Sequence, residues 1–476
     1  MLFTSLPFIV FIVLVLALYW AVATKGYKVQ NLLLLLANYV FYAWWDWRFL
    51  LLLIVYGLVI YRIGHKIYTA QNEHSKRRWL AVGLIAGIGT LCYFKYTNFF
   101  IASFIQLLSS VGVHSSLHTL NIIMPLGISF FTFQVLGYVL DIKNGKVKPT
   151  TDVVAFLSFA SFFPTLLSGP IERADNLLIQ LQKDRTFNSG ATKDGLRQIL
   201  WGLFKKVVVA DNIARIVDAI FSNYHTASSW SLVAGILIYP VQLYADFSGY
   251  SDMAIGIARL MGFDLVRNFA YPFFARNIPE YWRRWHMSLT SWITEYLYTP
   301  LTISFRYWGV WGMLLAITIT YTIIGFWHGA NWTFIVFGLI HSLYFSIFML
   351  QKKPKKKSQQ ERDLSPRQVG LMLRTYLMVA FAELFFRADS VQQAWGYMSR
   401  IGRADALHND LAIFANYSLL AIPCMLAIEW RGRHHQHALV MHDKPAMPVR
   451  WAIYTILILF IFFCAGDQQK FIYLQF

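Results

Sequence analysis

Formal charge is what this chain has least of. Only 14% of its 476 residues are Asp, Glu, Lys or Arg, against roughly a quarter in a soluble globular protein. Whole stretches carry none: 2–24, 96–140, 219–245, 307–351 and 411–428. Each is long enough for one or two helices of about 20 residues, the length that crosses a bilayer core. Cysteine is scarce as well. Cys92, Cys424 and Cys464 are scattered through apolar segments, which excludes a disulfide framework and a cysteine metal site. No Walker or dinucleotide fingerprint occurs, and "GYSDM" is no nucleophile elbow because its fifth residue is Met253. No repeat of 20–50 residues is visible, so one continuous membrane domain over 1–476 is the simplest division.

What remains is apolar and aromatic: 57% hydrophobic, 17% Phe, Trp or Tyr. Shorter apolar runs at 31–45, 49–61, 79–94, 153–171 and 451–466 bring the expected spans to about ten to twelve. Long continuous runs favour helices over a barrel, whose strands alternate. The expectation is an all-α polytopic membrane protein. The first run lacks a basic start and is too long for the core of a cleaved signal peptide.

Basic residues outnumber acidic ones by 42 to 24, giving a net charge of +18. Their placement argues against nucleic acid. Lys25 and Lys28, the 66–78 segment, Lys352 to Lys357 and Arg431 to Arg450 sit in short loops between apolar runs, the pattern that marks cytoplasmic loops facing anionic lipid. Counting from these loops puts the N-terminus, "WWDWR" at 44–48 and the C-terminal tail 467–476 outside. Parity between 79 and 150 stays open.

Against this apolar background a few polar groups stand out. His328 lies at the centre of "TIIGFWHGANWTFIVFGL", where Gly329-Ala330-Asn331 divides an uncharged 45-residue run nearly in half. The reading is a hairpin of two helices with His328 far from the lysines at 352–357. Gly329 permits close approach to the backbone, and Trp327 and Trp332 offer flat walls. His328 is either a satisfied structural ring or a functional one, because ionisable groups inside membranes are functional candidates by default. His286 lies in "NIPEYWRRWHMSLTSWITEYLYTPL". Pro279 opens a helix, and Trp282, Trp285, Leu289, Trp292, Ile293 and Tyr296 form one face with Glu280, Arg284, Ser291 and Glu295 opposite. This predicts one amphipathic helix with His286 on the flank of its apolar face.

Other polar residues read as structural. Asp246, Asp252 and Arg259 fall among small residues in "YADFSGYSDMAIGIARLMGFD", and the carboxylates are expected to satisfy buried arginines or backbone groups. Glu383 and Arg387 are placed as an internal i,i+4 salt bridge. His434, His435, His437 and His442 lie in a basic loop without acidic or cysteine ligands, so no metal site is expected there. His341 reads as a packed core residue.

Six segments carry a resemblance. In chain order they are "PLGISFFTFQ", "FFPTLLSGPIER", "GLFKKVVVADN", "DFSGYSDMAIG", "NIPEYWRRWHMSLTSW" and "GFWHGANWTF". In kind and order they resemble the membrane-bound O-acyltransferases, in particular the bacterial branch of alginate and peptidoglycan O-acetyltransferases and teichoic acid D-alanyl transfer proteins. The resemblance runs from "SLPFIVF" to "FIYLQF". It implies a ring of helices, with amphipathic or re-entrant pieces, around a central funnel that meets a cytoplasmic opening near a histidine. That position is His328, with His286 matching the family's second histidine.

The resemblance further implies an acyl group, most simply acetyl, moving from a cytoplasmic thioester (acyl-CoA or an acyl carrier protein) to an extracytoplasmic polysaccharide acceptor, with no bound cofactor or metal. A neutral imidazole suits the removal of the attacking hydroxyl's proton. Trp285, Trp327, Asn331 and Trp332 are candidates to line the substrate site. The tail "AGDQQKFIYLQF" ends apolar and should dock in a groove. By resemblance, Tyr473 is the first acyl acceptor, from which a partner transferase passes the group on. The location implied is the bacterial cytoplasmic (inner) membrane. The competing class is a transporter or flippase of acyl or polysaccharide precursors with His328 and His286 as proton relay, although no inverted repeat is visible.

Overall fold

The computed structural model describes residues 1–351, 365–403, 417–441, 446–465, 469 and 471–472. Among these, all regular structure is helical. The lysine loop at 352–357, the first part of the 411–428 run, His442 and Tyr473 lie outside the described residues.

Among the described residues, six helices are both long and apolar enough to cross a membrane: Trp47–Thr69, Glu73–Ser110, Ser229–Leu260, Arg306–His328, Trp332–Leu350 and Pro366–Arg387. Leu6–Ala21, Val153–Leu166 and Met447–Phe463 are shorter apolar helices. Tyr27–Ala43 and Ile128–Lys143 add 17 and 16 residues each. Outward-facing apolar side chains mark the lipid contact. On Met447–Phe463 only Leu457 is buried, while Phe462 and Phe463 are largely exposed. The run at 79–94 and the first part of the 96–140 run do not form separate helices. A π turn at Cys92–Tyr96 carries the chain on as one 38-residue stretch.

The chain divides into two compact units, Met1–Ile199 with Met253–Val266, and Leu200–Asp252 with Arg267–Phe476. In the first, Phe8, Phe11, Phe41 and Phe163 cluster with ring centroids 5.4–6.4 Å apart. Buried polar side chains there pair with one another and with the main chain: Asn31 donates to the Leu181 carbonyl at 2.6 Å and accepts from Arg185 at 2.8 Å. Arg259 pairs with Asp194 at 2.6 Å.

The second unit holds both candidate histidines. The uncharged 307–351 run does fold as a hairpin, Gly309–His328 followed by Trp332–Leu350. The two helices cross at contact distance: a Cβ on Gly325 would lie 2.1 Å from the Phe334 carbonyl oxygen, and one on Gly338 2.3 Å from that of Tyr321. Ser229–Leu260 runs 32 residues with Pro240 inside it. The Tyr376 hydroxyl donates to the Leu237 carbonyl in the turn before the proline, tying that part of the helix to Pro366–Arg387.

Candidate active site

His328 is the last residue of its helix. Gly329 follows in an extended conformation, and Asn331 caps the next helix by accepting from the Thr333 N–H at 3.2 Å. The Asn331 amide also donates to the Asp389 carbonyl at 2.8 Å, so its side chain ties the turn down. His328 is buried, its ring centroid 4.9 Å from Trp327, 5.2 Å from Phe386 and 6.2 Å from Phe337. The close approach that Gly329 permits is made by this chain's own Phe334: a Cβ at 329 would lie 2.0 Å from that ring's Cε2. Trp327 is buried, whereas Trp332 is 52% exposed.

The single amphipathic helix expected around His286 is broken at that residue. Asn277 and Pro279 start a helix as expected, but it ends at Arg284, and a second begins at Met287. Between them His286 takes φ 42° and ψ 53°, a left-handed conformation that costs a non-glycine residue about 1 kcal/mol or more. The cause is a neighbouring segment. Ala270 N–H donates to the Arg284 carbonyl at 2.9 Å and Met287 N–H to the Asn268 carbonyl at 2.8 Å, bonds that a continuous helix would use internally. Glu280 also departs from the expected polar face. It is buried between Arg276 at 3.2 Å and Arg284 at 2.7 Å. Burial pushes its carboxyl up, but the Arg276 main-chain N–H and the two guanidinium groups outweigh that and hold it below the usual range.

The break turns His286 fully inward. Its Nδ1 lies 3.0 Å from Asn268 Oδ1. The same oxygen accepts from the Ser288 hydroxyl at 2.9 Å and from its N–H at 3.4 Å, while Asn268 Nδ2 donates to Ser251 Oγ at 3.0 Å. A main-chain donor identifies Oδ1 as the oxygen, so His286 carries its proton on Nδ1 and a lone pair on Nε2. Burial drives the ring down to about 3, keeping it neutral. Phe247 meets the ring edge-on at 4.7 Å, and Trp327 lies 6.1 Å away. Trp327 thus lies near both histidines, beside His328 and 6.1 Å from the His286 ring. Trp285 is buried too, stacked on Tyr281 at 5.6 Å.

The carboxylates upstream are neutralised by lysines rather than arginines. Lys205 pairs with Asp252 at 2.6 Å, and Lys206 with Asp246 at 2.6 Å and Asp211 at 2.8 Å. The Glu383–Arg387 bridge does not form. Arg387 closes its helix and reaches Asp218 at 2.7 Å instead. The start of the C-terminal tail docks as expected of an apolar end: Phe471 is buried, 5.0 Å from the Tyr250 ring and 6.0 Å from Phe247. Phe247 therefore touches both the tail and His286. No group of three metal-ligating side chains is found among the described residues.

Asn268 and Lys206 were missed by sequence reasoning. Lys205-Lys206 inside "GLFKKVVVA" carried a signal, since two adjacent cations in an apolar run demand buried partners. His341, packed against Phe337 and Trp282, accepts the Trp282 indole N–H at 3.2 Å. Beside it, Trp282, Arg283, Ile293, Tyr321, Ile324 and others line a half-open, largely apolar cleft of about 210 Å3. Ile324 is one helical turn before His328.

Comparison with known proteins adds to this geometry. The sequence profile of the membrane-bound O-acyltransferase family matches residues 147–382, which include both histidines. Over 83% of its length the chain is 36% identical to a protein of Pseudomonas aeruginosa named probable alginate O-acetylase, covering 74% of it. It is 30% identical to the peptidoglycan O-acetyltransferase of Helicobacter pylori, over 94% of this chain and 91% of that one. A match of 29% to the teichoic acid D-alanyltransferase of Bacillus subtilis spans 50% of this chain and 62% of that protein.

Proposed function

We propose that this chain, which belongs to the membrane-bound O-acyltransferase family, carries an acetyl group from a thioester on the cytoplasmic side to a hydroxyl on the far side of a bacterial cytoplasmic membrane. The chain is a multi-pass membrane O-acyltransferase, and the relatives that it matches over most of its length are named as O-acetylases of alginate or peptidoglycan. Its acceptor polymer is accordingly a cell-surface polysaccharide. Acyl-CoA or an acyl carrier protein supplies the thioester.

In this reading His328 is the general base. It takes the proton of the attacking hydroxyl as oxygen bonds to the thioester carbonyl carbon. The tetrahedral oxyanion collapses, the C–S bond breaks, and the imidazolium returns its proton to the departing thiolate. The ring lies at a helix C-terminus, where free carbonyls favour the cation formed midway. His286 presents its Nε2 lone pair and orients the hydroxyl. Trp327 packs near both rings, and Trp285 backs the His286 side. Asn331 contributes by holding the turn that follows His328, and Trp332 offers its exposed ring to the donor or acceptor. The cleft beside Ile324 suits the thin arm of the donor, with Arg283 near its phosphates.

Tyr473 is the first acceptor on this reading, and a separate extracytoplasmic transferase carries the group onward. The observation that supports the whole most directly is the continuity of rings from Phe471 through Phe247, His286 and Trp327 to His328. The test is transfer of label from an acetyl thioester by the purified protein. His328→Ala, made at normal abundance, should lose it, and retained transfer would sink the reading. Tyr473→Phe should abolish the label found on the C-terminal peptide. Full polymer acetylation by that variant would remove Tyr473 from the pathway.

A further inference from the structure

The buried charges next to the site are more numerous than stability alone requires. Lys206, Asp211 and Asp246 are all buried, and desolvating them costs several kcal/mol per ion before pairing compensates. A close-packed apolar cluster would hold the helices together at less cost. What the charges provide is direction.

Lys206 Nζ reaches three oxygens: Asp246 Oδ1 at 2.6 Å, Asp211 Oδ1 at 2.8 Å and the main-chain carbonyl of Gln469 at 3.3 Å. Asp246 spends its other oxygen on the tail, with Oδ2 accepting the Ile472 N–H at 2.8 Å. Between those two main-chain contacts, Phe471 packs on Phe247 and Tyr250 of the helix that carries Asp246. Asn212 Nδ2 adds a bond to the Cys464 carbonyl at 3.2 Å, near the point where the tail leaves its helix.

We infer that Lys206 and Asp246 are positioning residues that grip the C-terminal segment by its main chain, setting its register against the Phe247–His286 edge of the site. The grip acts on an N–H and a carbonyl, so it is indifferent to the tail's polar side chains. It acts on the residue immediately before Tyr473. Its consequence for catalysis rests on the reading of Tyr473 as acceptor, but the grip itself does not.

The experiment uses the full-length protein in lipid nanodiscs. Hydrogen exchange of the C-terminal peptides, read by mass spectrometry, reports the Ile472 amide. Acyl label on the same peptides is followed with the acetyl thioester. Asp246→Ala should speed exchange of that amide by about tenfold or more, the size expected for losing a bond to a charged acceptor. It should lower labelling at saturating donor by a similar factor while leaving the donor KM unchanged. Asp246→Asn, which keeps an oxygen in place, should recover much of both.

If Asp246→Ala does not fold, Ile472→Pro decides. It removes the N–H and leaves every buried charge in place, and it should raise exchange at the neighbouring Phe471 amide. Ile472→Val, which keeps the N–H, should retain protection. Unchanged exchange in both Asp246→Ala and Ile472→Pro overturns the grip. Faster exchange with polymer acetylation intact leaves the grip standing and removes Tyr473 from the pathway.

Discussion

Replacing Gly329 with alanine tests how tightly the turn after His328 is built. Gly329 has φ −159° and ψ 148°, an extended conformation open to any residue, so the whole effect must be steric. The new Cβ would sit 2.0 Å from Phe334 Cε2, 2.4 Å from Cδ2 and 2.6 Å from Cζ. An ordinary carbon–carbon contact is about 3.5 Å, so the ring would have to retreat by roughly 1.5 Å. It has little room, because it stands edge-on to Phe386 at 4.9 Å, and Phe386 packs on His328 at 5.2 Å. Overpacking of this kind costs about 1–3 kcal/mol. A displacement of about 1 Å at a reacting group can cost on the order of 10^2-fold in rate.

The assay is paired: thermal unfolding in detergent, and acetyl transfer at saturating donor. Gly329→Ala should lower both. Phe334→Leu removes Cε2 and Cζ, so the double variant should regain part of the loss, which makes the two substitutions non-additive. Wild-type stability and rate in Gly329→Ala would refute the reasoning, as would a double variant whose losses simply add.

Two further predictions concern His286. Asn268→Ala strips the buried Nδ1–H and the Ser288 hydroxyl of their common acceptor, at about 1–3 kcal/mol for each orphaned group. With the tautomer no longer held, transfer should fall between about tenfold and 10^4-fold; a folded variant with full activity would detach Asn268 from the mechanism. The second is a pH effect. The folded ring titrates at about 3 and the ordinary value is 6.5, so between those limits the unfolded chain binds the extra proton. Stability therefore rises with pH across that window and is lost as pH falls below 6.5. Moving from pH 7 to pH 5 should cost about 2 kcal/mol through this ring. Melting curves of His286→Asn should show a flatter pH dependence between 5 and 6.5, and an unchanged slope would assign the acid sensitivity elsewhere.

Local patterns were readable and distant partners were not. Gly329-Ala330-Asn331 punctuates an apolar run, and one helix ends and the next begins there. Asn277 and Pro279 open the His286 segment as such residues should. The periodicity beyond them was misleading. It described one amphipathic helix, yet hydrogen bonds to the Asn268 carbonyl and from the Ala270 N–H, both well before that helix in the chain, break it at His286. The carboxylates' partners followed the same rule: Asp246 and Asp252 chose lysines some forty residues earlier, and Arg387 bypassed Glu383 for Asp218.

Taken alone, the order of residues determined that the chain lives in a bilayer as a bundle of apolar helices, that the 307–351 run is a hairpin, and which two imidazoles merit attention. Those properties follow from hydropathy, helix length and chain breaks, all short-range quantities. Only the tertiary structure decided that His286 faces inward with its proton on Nδ1 and that the tail is held by buried charges. Each of these depends on a donor and an acceptor brought together from remote parts of the chain, and no local pattern encodes which pairs will meet.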